Sequence, residues 1–194
     1  MLTIKTPETK DRSFRLAVID SDTVIVTNGY YVVKTTPDLV TIAGGRLPYP
    51  GQAFQGGYAK PIEDGDAGLV EAFKAVVTQT TTPGLPELHP LEIGPDLGKI
   101  YIHDRHYVSG SKMTERVIAA YYGPTGNIYL VDQAVLNKVT ACITGSIRLV
   151  SHNHNPNKAI HIYSGNEPVG AIMPIRSTDL PGLATLASFI PTID

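Results

Sequence analysis

The stretch Val169–Arg176, with the sequence VGAIMPIR, begins like a β-strand but carries a proline in its second half. Proline has no backbone N–H and cannot donate a hydrogen bond to a neighbouring strand, so it is confined to the ends, edges and bulges of sheets. We therefore expect the strand to leave its sheet at Pro174. The residues beside this proline would then lie at a surface, where another molecule could contact them.

The composition of the chain predicts a folded protein with no strong preference for a charged partner. Its 194 residues suffice to bury a core without disulfides or metals, and 42% of them are hydrophobic while 18% are charged. The formal net charge of -2 gives no general attraction to nucleic acid. Any contact with DNA would have to come from a local basic face.

Cysteine usage and hydropathy favour a cytoplasmic location. Cys142 is the only cysteine, so the chain has neither a disulfide framework nor a multi-cysteine zinc site. The first residues lack the apolar core of a signal peptide. No run approaches the roughly 20 apolar residues that a membrane-spanning helix needs. We expect a soluble chain with no membrane partner.

Residues 1–60 predict a small β-rich unit, because short runs rich in Val, Ile, Thr and Tyr alternate with turn residues. Asn28-Gly29 separates two of these runs and predicts a two-residue hairpin turn, since both turn positions need positive φ. The segment Gly44–Gln52, GGRLPYPGQ, interrupts the series. The predicted strands are Leu16–Ile19, Thr23–Thr27, Tyr30–Thr35 and Val40–Ile42.

Residues 61–176 predict a domain made of two similar units. Asp64–Thr78 and Asp132–Thr144 each place apolar residues at helical spacing after an aspartate that can cap the helix. Gly145 ends the second helix. Each helix belongs to a series of one strand, the helix and three further strands, which is an internal repeat.

The two units are expected to pack together. A lone helix cannot cover a three-stranded sheet on both faces, so we predict one pseudo-symmetric α+β domain with both helices on one side of the sheets. The strands predicted after the helices are Lys99–His103, His106–Ser109 and Thr114–Tyr122, then Ile147–Ser151, Ala159–Tyr163 and Pro168–Ile175, with Asn127–Leu130 leading into the second helix.

Two pairs of histidines raise the question of a metal site. His152 and His154 in SHNHNPNK have the spacing of two ligands on one strand face, and His103 and His106 flank an Asp-Arg dipeptide. A zinc site would need a third ligand and residues that orient the ligands. The Asn, Pro and Lys residues around the first pair are typical of a solvated hairpin turn, which we favour. We expect no metal and no cofactor.

The sequence carries no recognisable catalytic arrangement. It contains no G-x-S-x-G motif, no P-loop and no G-x-G-x-x-G motif. Cys142 falls on the predicted buried face of a helix, where packing is its expected role. We therefore predict that the protein is not an enzyme, and the two histidine pairs are the one feature that leaves an enzyme open.

Lys74 and Lys138 occupy comparable positions on the two predicted helices, away from the apolar residues. One interpretation is that these lysines only keep the helices soluble. The other is that both helices line a common surface and that the lysines contact a polyanion together. Such contacts are independent of sequence and sensitive to salt.

The end of the chain resembles a known family. From Ile128 to Arg176 it looks like the last part of a bacterial sliding clamp, the beta subunit of DNA polymerase III. In that family a strand, a helix and two strands joined by a polar turn precede a final strand with a Met-Pro-Met-Arg type motif. Met173, Pro174, Ile175 and Arg176 fill these four places, with isoleucine replacing the second methionine.

A second motif supports the resemblance. Gly44–Pro50, GGRLPYP, is similar to the family's Gly-Arg-Phe-Pro-Asp-Tyr element, with Leu47 in place of the phenylalanine and Pro48 retained. The resemblance covers about residues 15–176 at low identity. The MPIR run alone is equally compatible with an edge strand that simply ends, and the second motif favours the clamp interpretation.

The resemblance implies a fold and a function. The domain at 61–176 would be a DNA-clamp-like domain, preceded by the β unit at 1–60, which resembles the second half of a clamp domain. Homo-oligomeric rings of this family hold double-stranded DNA without sequence preference, and Lys74 and Lys138 would face that DNA. An outer apolar pocket binds a short peptide motif of a DNA polymerase or another replication protein. Carried across, the pocket comprises Leu47, Pro48, Ile172, Met173, Pro174, Ile175 and Arg176.

Two departures from the family leave alternatives open. A bacterial clamp subunit has three such domains, whereas this chain has about one and a half, which suits a phage-encoded protein. It is predicted either to form a ring from several copies and act as a processivity factor, or to bind or sequester replication proteins without encircling DNA. A third alternative is a phage structural protein.

The second departure is the tail at 177–194, which extends past the last predicted strand. Leu183, Leu186, Phe189 and Ile190 give it an apolar pattern at near-helical spacing. One interpretation is a short amphipathic helix packed on the domain. The other is that the tail imitates a clamp-binding peptide and fills the pocket of its own chain or of a neighbour.

Overall fold

A computed structural model describes residues 1–4, 13–42, 45–56, 71, 75, 85–93, 98–103, 113–151 and 155–175. Within these ranges the chain has an α+β fold that is rich in sheet, with a helix, α1, at Gln133–Thr140. The strands are β1 Leu2–Ile4, β2 Arg15–Val18, β3 Val24–Thr27, β4 Tyr31–Thr35, β5 Val40–Ile42, β6 Ala53–Gln55, β7 His89–Leu91, β8 Lys99–His103, β9 Met113–Tyr122, β10 Ile128–Asp132, β11 Ile147–Val150, β12 Ile160–Ser164 and β13 Glu167–Ile172.

Seven antiparallel strands form the larger sheet, in the order β11-β12-β13-β4-β3-β2-β6. Its central pairing joins β13 to β4, with Ile172 opposite Tyr31 and Gly170 opposite Val33. Strands from residues 1–60 and from residues 61–176 therefore lie in one sheet. The predicted domain boundary near residue 60 stays a prediction, and the larger sheet crosses it.

A smaller sheet contains β10, β9 and β7, and β8 also pairs with β9. Backbone hydrogen bonds join it to the larger sheet at two places. Leu88, just before β7, donates its N–H to the carbonyl oxygen of Leu149 in β11 at 2.8 Å, and Ile175 donates to Leu130 in β10 at 2.7 Å. Because the chain passes between sheets at both points, the two sheets are held in a fixed relation.

The core follows the alternation of side chains along the strands. Leu16, Val18, Val24 and Val26 point to one face of the larger sheet and belong to the main cluster of buried residues. The buried residues of α1 pack into the same cluster, so this helix covers that face. The main cluster also includes Leu2, Ile4, Phe14, Tyr31, Val33, Tyr129, Val131, Leu136, Val139, Cys142, Leu149, Ile160, Ile162 and Ile172.

The predicted hairpin between β3 and β4 is confirmed, but its turn lies one residue later than expected. Thr27 pairs with Val32, which puts Gly29 and Tyr30 at the two turn positions. Gly29 has φ +84°, as the first position of a primed turn requires. The Asn28 side-chain oxygen accepts hydrogen bonds from the N–H groups of Tyr30 at 3.0 Å and of Tyr31 at 3.3 Å. Asparagine therefore acts beside the turn as a hydrogen-bond acceptor.

The second predicted helix is confirmed with its cap, but it is shorter than expected. Asp132 is the N-cap, and α1 ends at Thr140 instead of Thr144. Beyond that point the N–H groups of Cys142 and Ile143 bond to carbonyls three residues back, which is the tighter geometry common at helix ends. Cys142 is nevertheless 1% exposed, as its apolar spacing predicted.

Other predictions meet the described residues only in part. Of the predicted helix at 64–78, Glu71 and Ala75 are described, and both are helical and exposed. The predicted strand at 106–109 and the tail from 177 lie outside the described residues. The sequence did not reveal β1, β6 and β7, each of which has only three residues.

The close approach of β13 to β4 makes Gly170 a sensitive position. A Cβ atom at residue 170 would lie 2.5 Å from the Val32 carbonyl oxygen, so the two strands would have to separate. We expect Gly170→Ala to lower the free energy of unfolding by about 1–3 kcal/mol, in the range of overpacked cores. A thermal unfolding curve measures this as a lower midpoint.

Gly123→Ala is the matched control for this substitution. The nearest atoms to a Cβ there belong to Leu88 and Tyr129 at 3.5 Å, an ordinary van der Waals separation. The control should unfold close to the parent temperature. Equal midpoints for both variants would contradict the tight β13–β4 contact.

Candidate functional site

The chain leaves the larger sheet at Pro174, as the proline predicted. β13 ends at Ile172, and the Met173 N–H still donates to the Tyr30 carbonyl oxygen at 2.7 Å. Two residues later the Ile175 N–H donates to Leu130 in the smaller sheet. The proline thus occupies the single position between two donors that serve different sheets, where its missing N–H costs no ladder hydrogen bond.

Burial alternates along this exit segment. Ile172 is 2% exposed and belongs to the main core, Met173 is 46% exposed, and Pro174 is buried. Ile175 is half-buried and packs against a smaller cluster around Leu130. Of the predicted pocket residues that the structure describes, Met173 is therefore the exposed one, and its neighbours hold its backbone in place.

Tyr30 lies beside Met173, although nothing in the sequence connected the two residues. Because Ile172 pairs with Tyr31, the next pair beyond it places Met173 opposite Tyr30. Ile172 and Tyr31 are buried in the main core, whereas Met173 and Tyr30, which follow and precede them, are both exposed. Tyr30 is 59% exposed. We call this exposed thioether and phenol ring the Tyr30–Met173 pair.

Leu47 and Pro48 are only loosely related to this pair. Leu47 is half-buried against the main core, which also contains Ile172, and Pro48 is buried. Their loop is held to β2, where the Gly51 N–H donates to the Val18 carbonyl oxygen at 2.8 Å. β2 is three strands from β13, or about 14 Å across the sheet. The grouping of all seven predicted residues in one pocket stays a prediction, and Arg176 lies outside the described residues.

Of the two predicted DNA-facing lysines, the structure describes Lys138. It lies on α1, half-buried, with its ammonium 5.8 Å from the centre of the Tyr31 ring. An ammonium at this distance is attracted by the face of the ring. Lys138 therefore links α1 to β4 through a cation–π contact. Lys74 lies outside the described residues, so a shared basic face stays a prediction.

The Tyr31 phenol and the Cys142 thiol are both buried, and both have raised pKa values. Burial raises the pKa of the Tyr31 phenol, with a further contribution from Cys142. Burial also raises the pKa of the Cys142 thiol to about 11. Thr35 Oγ1 donates to the Cys142 carbonyl oxygen at 2.6 Å, and the thiol donates to Val139 at 2.9 Å. A thiol that stays protonated at neutral pH is a packing group and a poor nucleophile.

Asp132 fixes the start of α1 and thereby the position of Lys138. One carboxylate oxygen accepts hydrogen bonds from the N–H groups of Ala134 at 2.9 Å and Val135 at 3.2 Å. The other oxygen pairs with Arg116 on β9 at 2.9 Å. The cap therefore ties the helix to the smaller sheet.

Two further kinds of site, a metal-binding group and a groove, were considered among the described residues. No three His, Cys, Asp or Glu side chains come together as a metal-binding group in the described ranges, and His106, His152 and His154 lie outside them. An open groove of about 420 Å³ runs beside α1, bordered by Leu136, Asn137, Thr140 and Arg148 among others. It contains none of the predicted site residues.

Comparison with protein-family models, curated proteins and solved structures gives no match for this chain. Among the described residues, no helix combines the length and the apolar character needed to cross a membrane.

Replacing the cap residue should weaken the anchoring of α1. We expect Asp132→Ala to lower the free energy of unfolding by about 1–2 kcal/mol, because two helix N–H groups lose their acceptor. Asp132→Asn retains an acceptor oxygen for the cap and removes the charge that pairs with Arg116, so it should cost less. Chemical denaturation of the parent and both variants measures the order of their free energies of unfolding. An equal loss of stability in both variants would contradict a role for the cap.

Stability should decline in alkaline solution. Folding raises the pKa of the neutral Cys142 thiol from 9.0 to about 11, so the unfolded chain releases this proton first as pH rises. The contribution of this group is fully present below pH 9 and is lost towards pH 11, at a slope of up to about 1.4 kcal/mol per pH unit. Denaturation of the parent and of Cys142→Ala at several pH values measures it. The Cys142→Ala variant should be less stable than the parent at neutral pH, but its free energy of unfolding should fall less steeply as the pH rises from 9 to 11.

Proposed function

We propose that this chain is a sliding-clamp-like DNA replication accessory protein, which tethers a polymerase to DNA through a peptide-binding surface centred on Met173. The observation that carries the proposal is the exit of the chain at Pro174. It leaves Met173 exposed on a backbone that hydrogen bonds fix on both sides. A rigid backbone with a flexible apolar side chain suits the binding of short apolar motifs, since little order has to be gained on binding.

The order of elements supports a pseudo-symmetric clamp domain. β10, α1, β11, β12 and β13 follow one another as one strand, a helix and three strands. Among the residues that the structure describes, they are preceded by β6, the helical residues Glu71 and Ala75, and then β7, β8 and β9. This order of elements is compatible with the internal repeat predicted from the sequence, although β6 lies before the predicted domain at 61–176.

The proposed mechanism is topological. Several copies of the chain would close a ring around DNA, and weak contacts from the helix faces would let the ring slide. The outer surface would capture a peptide of the polymerase. Processivity then follows because the tether keeps the polymerase at a high effective concentration near the template.

The second candidate function is a clamp-fold module that binds replication proteins without encircling DNA. The formal net charge of -2 and the engagement of the Lys138 ammonium with Tyr31 favour it, because both reduce the attraction to phosphates. Both functions use the peptide-binding surface at Met173, and only the first requires a closed ring around DNA.

Oligomeric state separates the two candidates. We expect light scattering on a sizing column to give one closed oligomer that resists dilution, and the ring to be retained on circular DNA but lost from linear DNA. A monomer at all concentrations would rule out the ring and favour the second candidate, a module that binds replication proteins without encircling DNA.

Met173→Asp tests the surface itself. A charge in place of the exposed thioether should weaken the binding of a synthetic peptide with Leu and Phe anchors by about tenfold or more, equivalent to at least 1.4 kcal/mol. Val117→Asp places the same charge at another exposed apolar position, on β9, and should leave the affinity unchanged. Fluorescence anisotropy measures both, and equal affinities in the two variants would overturn the peptide-binding surface.

A further inference from the structure

We propose that Asn28 is a site of spontaneous deamidation, and that the folded hairpin promotes the reaction. Asn28-Gly29 is the only Asn-Gly dipeptide in the sequence. It lies between β3 and β4, where the hairpin turns. The inference goes beyond the proposed function, because neither DNA nor a partner protein takes part in the reaction.

The reaction joins the Asn28 side chain to the backbone nitrogen of the next residue. Hydroxide removes the proton of the Gly29 N–H, which activates this nitrogen as a nucleophile. The nitrogen then forms a bond to Cγ of Asn28, the Cγ–Nδ2 bond breaks, and the amide group takes a proton from water and leaves as ammonia. Water opens the resulting succinimide ring at either carbonyl, which yields aspartate or isoaspartate. Overall, one water molecule is consumed and one ammonia molecule is released.

The first argument is that the attacking nitrogen is accessible. Gly29 is exposed, and it has no Cβ atom to hinder a close approach to its backbone. Among the described residues, a Cβ atom built on Gly29 would have only Ser13 within 4 Å, at 3.7 Å. The Gly29 N–H donates to Thr27 Oγ1, but its length of 3.3 Å exceeds the usual range. Hydroxide can therefore reach the proton that has to be removed.

The second argument is a hydrogen bond that favours removal of this proton. Ser13 Oγ donates to the carbonyl oxygen of Asn28 at 2.9 Å. That oxygen belongs to the same peptide group as the Gly29 nitrogen, so it shares the negative charge that forms when the N–H loses its proton. A hydrogen bond to the charged form stabilises it. Ser13 thus assists the formation of the nucleophile.

The third argument concerns the oxygen on the carbon that is attacked. Oδ1 of Asn28 accepts hydrogen bonds from the N–H groups of Tyr30 at 3.0 Å and of Tyr31 at 3.3 Å. Negative charge develops on this oxygen as the nitrogen attacks Cγ. Two backbone donors already point at it, which is the arrangement that stabilises oxyanions in enzymes that catalyse acyl transfer. The same two bonds turn the side chain forward, towards the nitrogen of Gly29.

Asn155 provides a matched control within the same chain. Its Oδ1 accepts a hydrogen bond from the N–H two residues further on, that of Asn157, at 3.0 Å. Asn28 makes the same contact with Tyr30. The residue after Asn155 is Pro156, whose nitrogen carries no hydrogen and cannot become the attacking anion. The two asparagines therefore share a local hydrogen bond, but only Asn28 can close the ring.

The products would alter the hairpin. Both bring a negative charge to the turn, and isoaspartate also adds one carbon atom to the main chain. The added carbon should weaken the pairing of Thr27 with Val32. The carbonyl oxygen of Tyr30 accepts the Met173 N–H at 2.7 Å, so the change would extend to the surface that the proposed function assigns to a partner peptide. Only this last consequence rests on the proposed function.

The rate of deamidation in the folded chain tests the proposal. We would incubate the full-length protein at mildly alkaline pH, with and without denaturing guanidinium chloride, and follow the peptides of Asn28 and Asn155 by mass spectrometry. Asn28 should react at least as fast in the folded protein as in the denatured one, and Asn155 should stay unchanged. A slower reaction of Asn28 in the folded protein would show that the turn protects it, and the proposal would be wrong.

Ser13→Ala tests the contribution of the turn by substitution. The variant should slow the reaction of Asn28 several-fold in the folded protein, because the hydrogen bond to the Asn28 carbonyl oxygen is lost. In guanidinium chloride the parent and the variant should react at the same rate, since this hydrogen bond requires the fold. Equal rates in the two folded proteins would overturn the role assigned to Ser13. The comparison of folded and denatured parent needs no variant and decides the proposal on its own.

The isoaspartate form tests the effect on the hairpin. Its added negative charge allows separation from the parent by ion exchange, and its thermal unfolding midpoint should be lower. Asn28→Asp is the matched control, because it carries the same charge without the extra main-chain carbon and should unfold closer to the parent. Equal midpoints for the isoaspartate form and Asn28→Asp would contradict the effect of the longer main chain. Because none of these measurements uses DNA or a partner, the modification and the clamp function can fail independently.

Discussion

The pairing of β13 with β4 is the contact on which the rest of the architecture depends. It joins strands from the two ends of the sequence into one seven-stranded sheet. It also tolerates almost no side chain at residue 170, where the Val32 carbonyl oxygen comes close to the backbone. Both the buried face of the larger sheet and the exposed Tyr30–Met173 pair follow from this pairing, because the register puts Ile172 inside and Met173 outside.

Pro174 ends the pairing of β13 with β4 and leaves the preceding residue, Met173, exposed. A residue with an N–H at that position could have continued the ladder, whereas proline directs the chain to the smaller sheet at Leu130. The crossing also explains the alternation of burial from Ile172 to Ile175. Pro174, which has no backbone N–H, therefore lies where the chain crosses from the larger to the smaller sheet. The exposed side chain of Met173 directly precedes it.

The sequence predicted local features well and long-range ones poorly. The exit at Pro174, the strand at Lys99–His103 and the Asp132 cap were all recognisable, because each depends on residues a few positions apart. Tyr30 was missed because its relation to Met173 is set by a strand register between distant parts of the chain. The turn at Gly29 was misplaced by one residue, since Asn28 is equally at home inside or beside a turn. Leu47 and Pro48 came from a resemblance, and the described contacts relate them to the core more than to Met173.

The distance along the chain between β4 and β13 has a consequence for the biosynthesis of the protein. Tyr31 and Ile172 are about 140 residues apart, so one edge of β4 lacks this neighbour until those residues have been translated. At ordinary rates of synthesis this interval lasts roughly 7–28 s. Meanwhile the hairpin of β3 and β4 exposes backbone groups to which other nascent chains can pair. Productive folding at the ribosome then depends on how long this early hairpin avoids such encounters.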